Sequence, residues 1–97
     1  ASAYALVKSE EFKWLSGKEL LTSYISQQQF GLQFCSQCGS TLTGIYKGVV
    51  HGVTLGCVNS DPKIEIGRHI YVGSKASWEV IPDGVLQYQE GVPENEL

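Results

Sequence analysis

Ninety-seven residues, with seven Lys and Arg against ten Asp and Glu, carry a formal charge of −3. That length allows one domain and excludes a second core, and a 42% hydrophobic share excludes a disordered tail. The acid excess argues against gripping a nucleic-acid backbone, which needs clustered Lys and Arg, and no apolar run approaches the roughly 20 residues of a membrane span.

The chain opens Ala1-Ser2-Ala3 and contains no Met. Ala3–Val7 is a short apolar run compatible with a strand, and Ser9-Glu10-Glu11 breaks it. Phe12–Leu15 leads to a Ser16-Gly17 turn. Thr, Tyr and Ile make Leu20–Ile25 a strand rather than the end of a helix. Gln27–Gln29 reads as a polar hairpin tip. Phe30-Gly-Leu32-Gln-Phe34 alternates with period two, as a half-buried strand should, and runs into a cysteine pair. Thr41–Tyr46 alternates as the next strand, while Val49–Val58 is rich in Val and Gly and holds no helix-length pattern. Asn59–Pro62 signals a turn. Arg68–Val72 reads as a strand, and Ser77–Ile81 as a further short one closed by Pro82-Asp83-Gly84. The expectation is a mainly β domain of short strands, with bends or bulges where strands hold Gly.

Three cysteines are too few, and odd in number, for a secreted disulfide framework. No basic stretch followed by an apolar one marks a leader at the start. The reading is a cytoplasmic protein with reduced thiols.

Cys35-Ser-Gln-Cys38-Gly39 lies between two strands. Thiolates two residues apart can face one tetrahedral ion, and Gly allows the tight turn that follows. A zinc half-site at Cys35 and Cys38 is preferred over two plain thiols. It is also preferred over a redox pair, which expects a strand leading into a helix. Structural zinc takes four ligands. His51, His69 and Cys57 are the other Cys and His residues of the chain. Apolar neighbours make Cys57 read as a buried strand thiol and His51 as a satisfied strand histidine, so the remaining ligands are expected from upstream sequence or a second chain.

Several segments together resemble one family in order and spacing. They are Phe12-Lys-Trp14-Leu-Ser-Gly17 with Leu21 and Tyr24, and Phe34-Cys35-Ser-Gln-Cys38-Gly39. His69-Ile70-Tyr71-Val72-x-Ser74-x-Ala76-x-Trp78, Asp83-Gly84 and Gln89-Glu90-Gly91 follow. The resemblance is to glutathione-dependent formaldehyde-activating enzymes and centromere protein V, and it runs from Ala3 to Gly91. The knuckle by itself is common; combined with the His-Ile-Tyr and Ser-x-Ala-x-Trp segment it is specific.

The resemblance implies an Mss4-like fold over residues 1–97, with antiparallel strands around a zinc knuckle. In the family a Cys-x-Cys pair and a second cysteine cluster precede the part seen here. The first pair joins the later Cys-x-x-Cys on a structural zinc, and the second cluster holds the catalytic metal. Only Cys35 and Cys38 match these ligands, so the resemblance implies a chain lacking its N-terminal segment and inactive by itself. It assigns no catalytic or cofactor-binding residue. The implied reaction is that of a carbon–sulfur lyase making or breaking the bond between a glutathione thiol and formaldehyde. A non-catalytic zinc-stabilised binding module is the alternative, and a self-contained zinc ribbon using His51 or Cys57 a third. A half-site completed by a second copy would give a zinc-bridged homodimer.

Trp14 and Trp78 are expected to pack in the core or a hairpin. His69 reads as a surface or capping residue. Arg68, Lys75 and Lys63 form a loose basic group that suits a carboxylate ligand or a solvated face equally. The acidic end Glu90–Glu96 reads as solvated.

Overall fold

The computed structural model describes residues 2–93, which leaves Glu94 and Glu96 of the acidic end outside. The chain forms two compact units, Ala1–Pro62 and Lys63–Leu97.

The first unit is one antiparallel sheet of five strands: β1 (Tyr4–Leu6), β2 (Leu21–Ile25), β3 (Phe30–Cys35), β4 (Thr41–Tyr46) and β5 (Val49–Thr54). Their order in space is β1-β5-β4-β3-β2. Chain-order neighbours pair through tight hairpins from β2 to β5, and β1 adds to the outside of β5. The β2–β3 tip closes through Ser26 N–H on the Phe30 carbonyl (2.7 Å) and Gln29 N–H on the Ser26 carbonyl (3.0 Å). The β4–β5 turn places both Lys47 (φ 50°) and Gly48 (φ 83°) in the left-handed region. That matches the turn whose twist suits a two-residue hairpin.

Two bulges bend the sheet. Gln33 faces Thr43 but Phe34 faces Thr41, leaving Leu42 as the extra residue. Gly44 faces Gly52 but Ile45 faces Val50, leaving His51 as the second. The bulge at Gly44 is of the kind expected where a strand holds Gly.

Little of the unit is fully enclosed: Thr43, Ile45 and Gly52 alone among its described residues. Thr43 is 1% exposed. Its hydroxyl donates to the Gln33 side-chain carbonyl across the β3–β4 pair (2.7 Å). Gln33 is half-buried, so its carbonyl stranded without a donor costs about 1 kcal/mol, the low end of the penalty for a buried acceptor. Thr43→Val keeps the shape and removes the donor, so it should lower the urea midpoint by that order. An unchanged midpoint would mean that Gln33 turns to water at no cost.

The second unit pairs β6 (Arg68–His69) with β7 (Leu86–Gln87) in parallel. The strand expected over Arg68–Val72 stops at His69. Tyr71 turns into the left-handed region (φ 57°), and Val72–Ser74 form a single 3-10 turn. The chain end compensates for the lost ladder: the N–H groups of Tyr71, Val72 and Gly73 donate to the carbonyls of Glu90, Tyr88 and Gln89. The strand expected over Ser77–Ile81 is also absent. A turn replaces it, closed by Glu79 N–H on the Ala76 carbonyl (3.0 Å), with the Lys75 ammonium on the Glu79 carbonyl (3.1 Å). Trp78, expected to pack inward, is 78% exposed on that turn. Trp14 is half-buried and meets Phe12 edge-on, with ring centroids 5.0 Å apart.

The architecture is mainly β and largely antiparallel, consistent with a small Mss4-like domain. Among the described residues no helix is long and apolar enough to cross a membrane.

Candidate metal site

Cys35 is the last residue of β3, and β4 begins at Thr41. The residues between them fold back on themselves. Gly39 N–H donates to the Cys35 carbonyl (2.8 Å), and Cys35 N–H donates to the Ser40 carbonyl (3.0 Å). Ser36 N–H reaches across to the Leu20 carbonyl (2.8 Å), which ties the turn to the strand beside it. Gly39 takes φ 79°. A Cβ there would meet nothing within 4 Å, so glycine is required by the backbone angle and not by space.

Cys35 opens this turn and Cys38 stands one residue before its closing glycine. Cys35 is half-buried and Cys38 exposed. The Cys38 sulfur lies 3.3 Å from the Ser40 hydroxyl oxygen. That hydroxyl, then the Ser40 backbone N–H, then the Cys35 side chain hold the Cys38 thiol below its ordinary value. Each donor favours the charged sulfur over the neutral one. Ser40 is the neighbour that cysteine spacing does not reveal; the only sequence cue is a hydroxyl two residues past the second cysteine.

The other candidate ligands belong to other elements. Cys57, expected as a buried strand thiol, is exposed at the end of the 3-10 turn Leu55–Cys57. Its S–H donates to the Thr41 carbonyl (3.3 Å), at the foot of β4. His51 is the bulge residue of β5, with its ring 5.8 Å from that of Tyr46. Tyr46 in turn stacks on Phe30 at 4.4 Å. His69 lies in β6 of the second unit, where its carbonyl accepts the Tyr88 N–H (2.9 Å). Arg68, Lys75 and Lys63 also belong to that unit. Among the described residues no three His, Cys, Asp or Glu side chains converge on one point.

The donor set at the knuckle fits half of a tetrahedral zinc site. Two soft sulfurs close one turn, and the outer one receives hydrogen bonds that stabilise its thiolate.

The family model described as glutathione-dependent formaldehyde-activating enzyme matches residues 1–74 of the chain. No curated protein and no solved structure gives a significant match.

Proposed function

The chain belongs to the glutathione-dependent formaldehyde-activating enzyme family, and from that premise we propose that it is a zinc-binding protein of carbon–sulfur lyase type. Its substrate class is the adduct of glutathione with formaldehyde, or a related thiol adduct. The Cys35–Cys38 turn carries this reading on the structural side. It has the spacing, the closing glycine and the sulfur-directed donors of a zinc knuckle.

Cys35 and Cys38 would hold the ion as thiolates. Zinc in such a site supplies structural cross-linking of the strands that carry its ligands. Ser40 keeps Cys38 ready to ligate by stabilising its thiolate, and Gly39 supplies the positive φ that closes the turn carrying both sulfurs. The sheet contributes rigidity, because Cys35 and Ser40 are tied by a backbone bond at the joined ends of two central strands. A tetrahedral site takes two further ligands, supplied by sequence outside these residues or by a second copy. No set of described residues fits a catalytic zinc, and no step is routed through one. Residues 1–97 by themselves are expected to be inactive.

A non-catalytic module is the second reading. It is favoured by the apolar side chains that the sheet leaves in water, among them Leu6, Tyr24, Phe30 and Leu32. One experiment separates the two. The full-length protein, zinc-loaded or treated with chelator, is mixed with glutathione and formaldehyde, and adduct exchange is followed by NMR. The lyase reading expects exchange above the spontaneous rate that chelation removes. Exchange at the spontaneous rate, from a protein that retains zinc and fold, would leave only the binding module.

A further inference from the structure

β2 forms one edge of the five-stranded sheet. Backbone bonds at its two ends show which of its residues face outward. The Leu20 carbonyl accepts from Ser36 and the Ser26 N–H donates to Phe30, both towards β3. Main-chain groups alternate in direction along a strand. Thr22 and Tyr24 therefore share the inward direction of Leu20 and Ser26. Leu21, Ser23 and Ile25 point theirs away from the sheet. The Leu21 N–H is used by the Lys18 carbonyl of the preceding 3-10 turn. The Leu21 carbonyl and both groups of Ser23 and Ile25 have no backbone partner among the described residues.

Edge strands are ordinarily blunted by charge, proline, a bulge or short length. β1, at the opposite edge, has only three residues. β2 has five, Leu-Thr-Ser-Tyr-Ile, with neither charge nor proline, and it pairs with β3 in unbroken register. Thr22 through Ile25 are exposed, Tyr24 to 64% and Ile25 to 51%.

We propose that the outer edge of β2 is a self-docking strand, which pairs antiparallel with β2 of a second copy about a twofold axis at Ser23. That centring lets Ser23 exchange both its backbone bonds with its counterpart. It also lets each Ile25 N–H donate to the Leu21 carbonyl of the copy. Ile25 then lies across from Leu21, and Tyr24 across from Thr22, so each face continues in kind. Beyond the strand, Glu19 falls opposite Gln27 and Lys18 opposite Gln28, so no like charges meet. The knuckle follows Cys35, which pairs with Leu21 at one end of β2. The twofold therefore carries the two knuckles to opposite ends of the joined strands. This dimer is not bridged by zinc, and it stands independently of the lyase reading.

Ser23→Pro is the informative change. Its N–H points outward, so the ring removes a bond to the copy and none to β3. Analytical ultracentrifugation of the full chain should show a concentration-dependent dimer that persists in chelator. Ser23→Pro should weaken it by about tenfold or more. Ser23→Lys, which sets two cations against each other on the axis, should do the same, with unchanged circular dichroism for both variants. Hydrogen exchange supplies a second readout: the Ser23 and Ile25 amides should slow as concentration rises. A monomer at every concentration, a dimer lost to chelator, a dimer indifferent to both variants, or Ser23 and Ile25 amides already protected in the monomer would each overturn the proposal. The last result would place another segment of the same protein on the edge.

Discussion

Gly31→Ala is expected to destabilise the protein by about 3 kcal/mol or more, a large share of the roughly 5–15 kcal/mol that holds an ordinary domain together. Gly31 faces Ile25 across the β2–β3 pair. A Cβ there would run into the Tyr24 carbonyl oxygen, and would lie 3.0 Å from Ile25 Cα and 3.1 Å from Ile25 Cγ1. Two of those atoms are main chain, so no rotamer change relieves the overlap. The strands must separate locally, and the hairpin that leads into the knuckle loses its register. Gly44→Ala is the matched control. It lies on the adjacent strand, where the nearest atom to a new Cβ is the Gly31 carbonyl oxygen at 3.9 Å. The urea midpoint should fall sharply for Gly31→Ala and stay near the parent for Gly44→Ala. Equal midpoints for the two would refute the steric account.

Replacing either knuckle cysteine by serine should weaken zinc affinity by about a hundredfold or more, since each thiolate of a structural site carries a large part of its binding energy. Competition with a chromogenic chelator would read this directly. Cys57→Ser serves as the control. Its sulfur is engaged with the Thr41 carbonyl and is not grouped with the other two into a three-ligand cluster. Affinity should therefore survive that change. Zinc retained at full affinity by both Cys35→Ser and Cys38→Ser would remove the knuckle from the site. Zinc lost with Cys57→Ser would bring back the third alternative, a self-contained ribbon using His51 or Cys57.

Much of the first unit could be read from residues in order. The period-two alternation of Phe30, Leu32 and Phe34 marks β3 as a strand, but not its enclosed side: Phe30 and Leu32 face solvent, Gly31 and Gln33 are half-buried, and in β4 the enclosed residues are Thr43 and Ile45 rather than Leu42. The three glutamines mark a tip because nothing there needs burial. The turn that carries Cys35 and Cys38 was legible for a similar reason: cysteine spacing and a following glycine are local properties. Cys57 was misread because apolar neighbours in sequence do not ensure burial. The 3-10 turn at Leu55–Cys57 carries its side chain to the surface. In the second unit, local pattern failed for a different cause. Arg68–Val72 has the composition of a strand, yet its backbone partners come from residues 86–90, across a stretch with no periodic cue. Tyr71 adopts a left-handed angle that favours glycine, and bonds to Glu90 and Tyr88 on either side of the turn hold it there. Trp78 follows the same logic: aromatic character suggests a core, but the turn at Ala76–Glu79 decides where it points.

The small set of enclosed side chains in the sheet has a calorimetric consequence. The heat capacity of unfolding rises with the apolar surface newly exposed to water. A sheet that already shows Tyr4, Leu6, Tyr24, Ile25, Phe30 and Leu32 to solvent has less such surface left to expose. Its unfolding enthalpy should then change little with temperature. Its melting should be broad, with a stability curve flatter across the range from cold to warm than chain length alone implies.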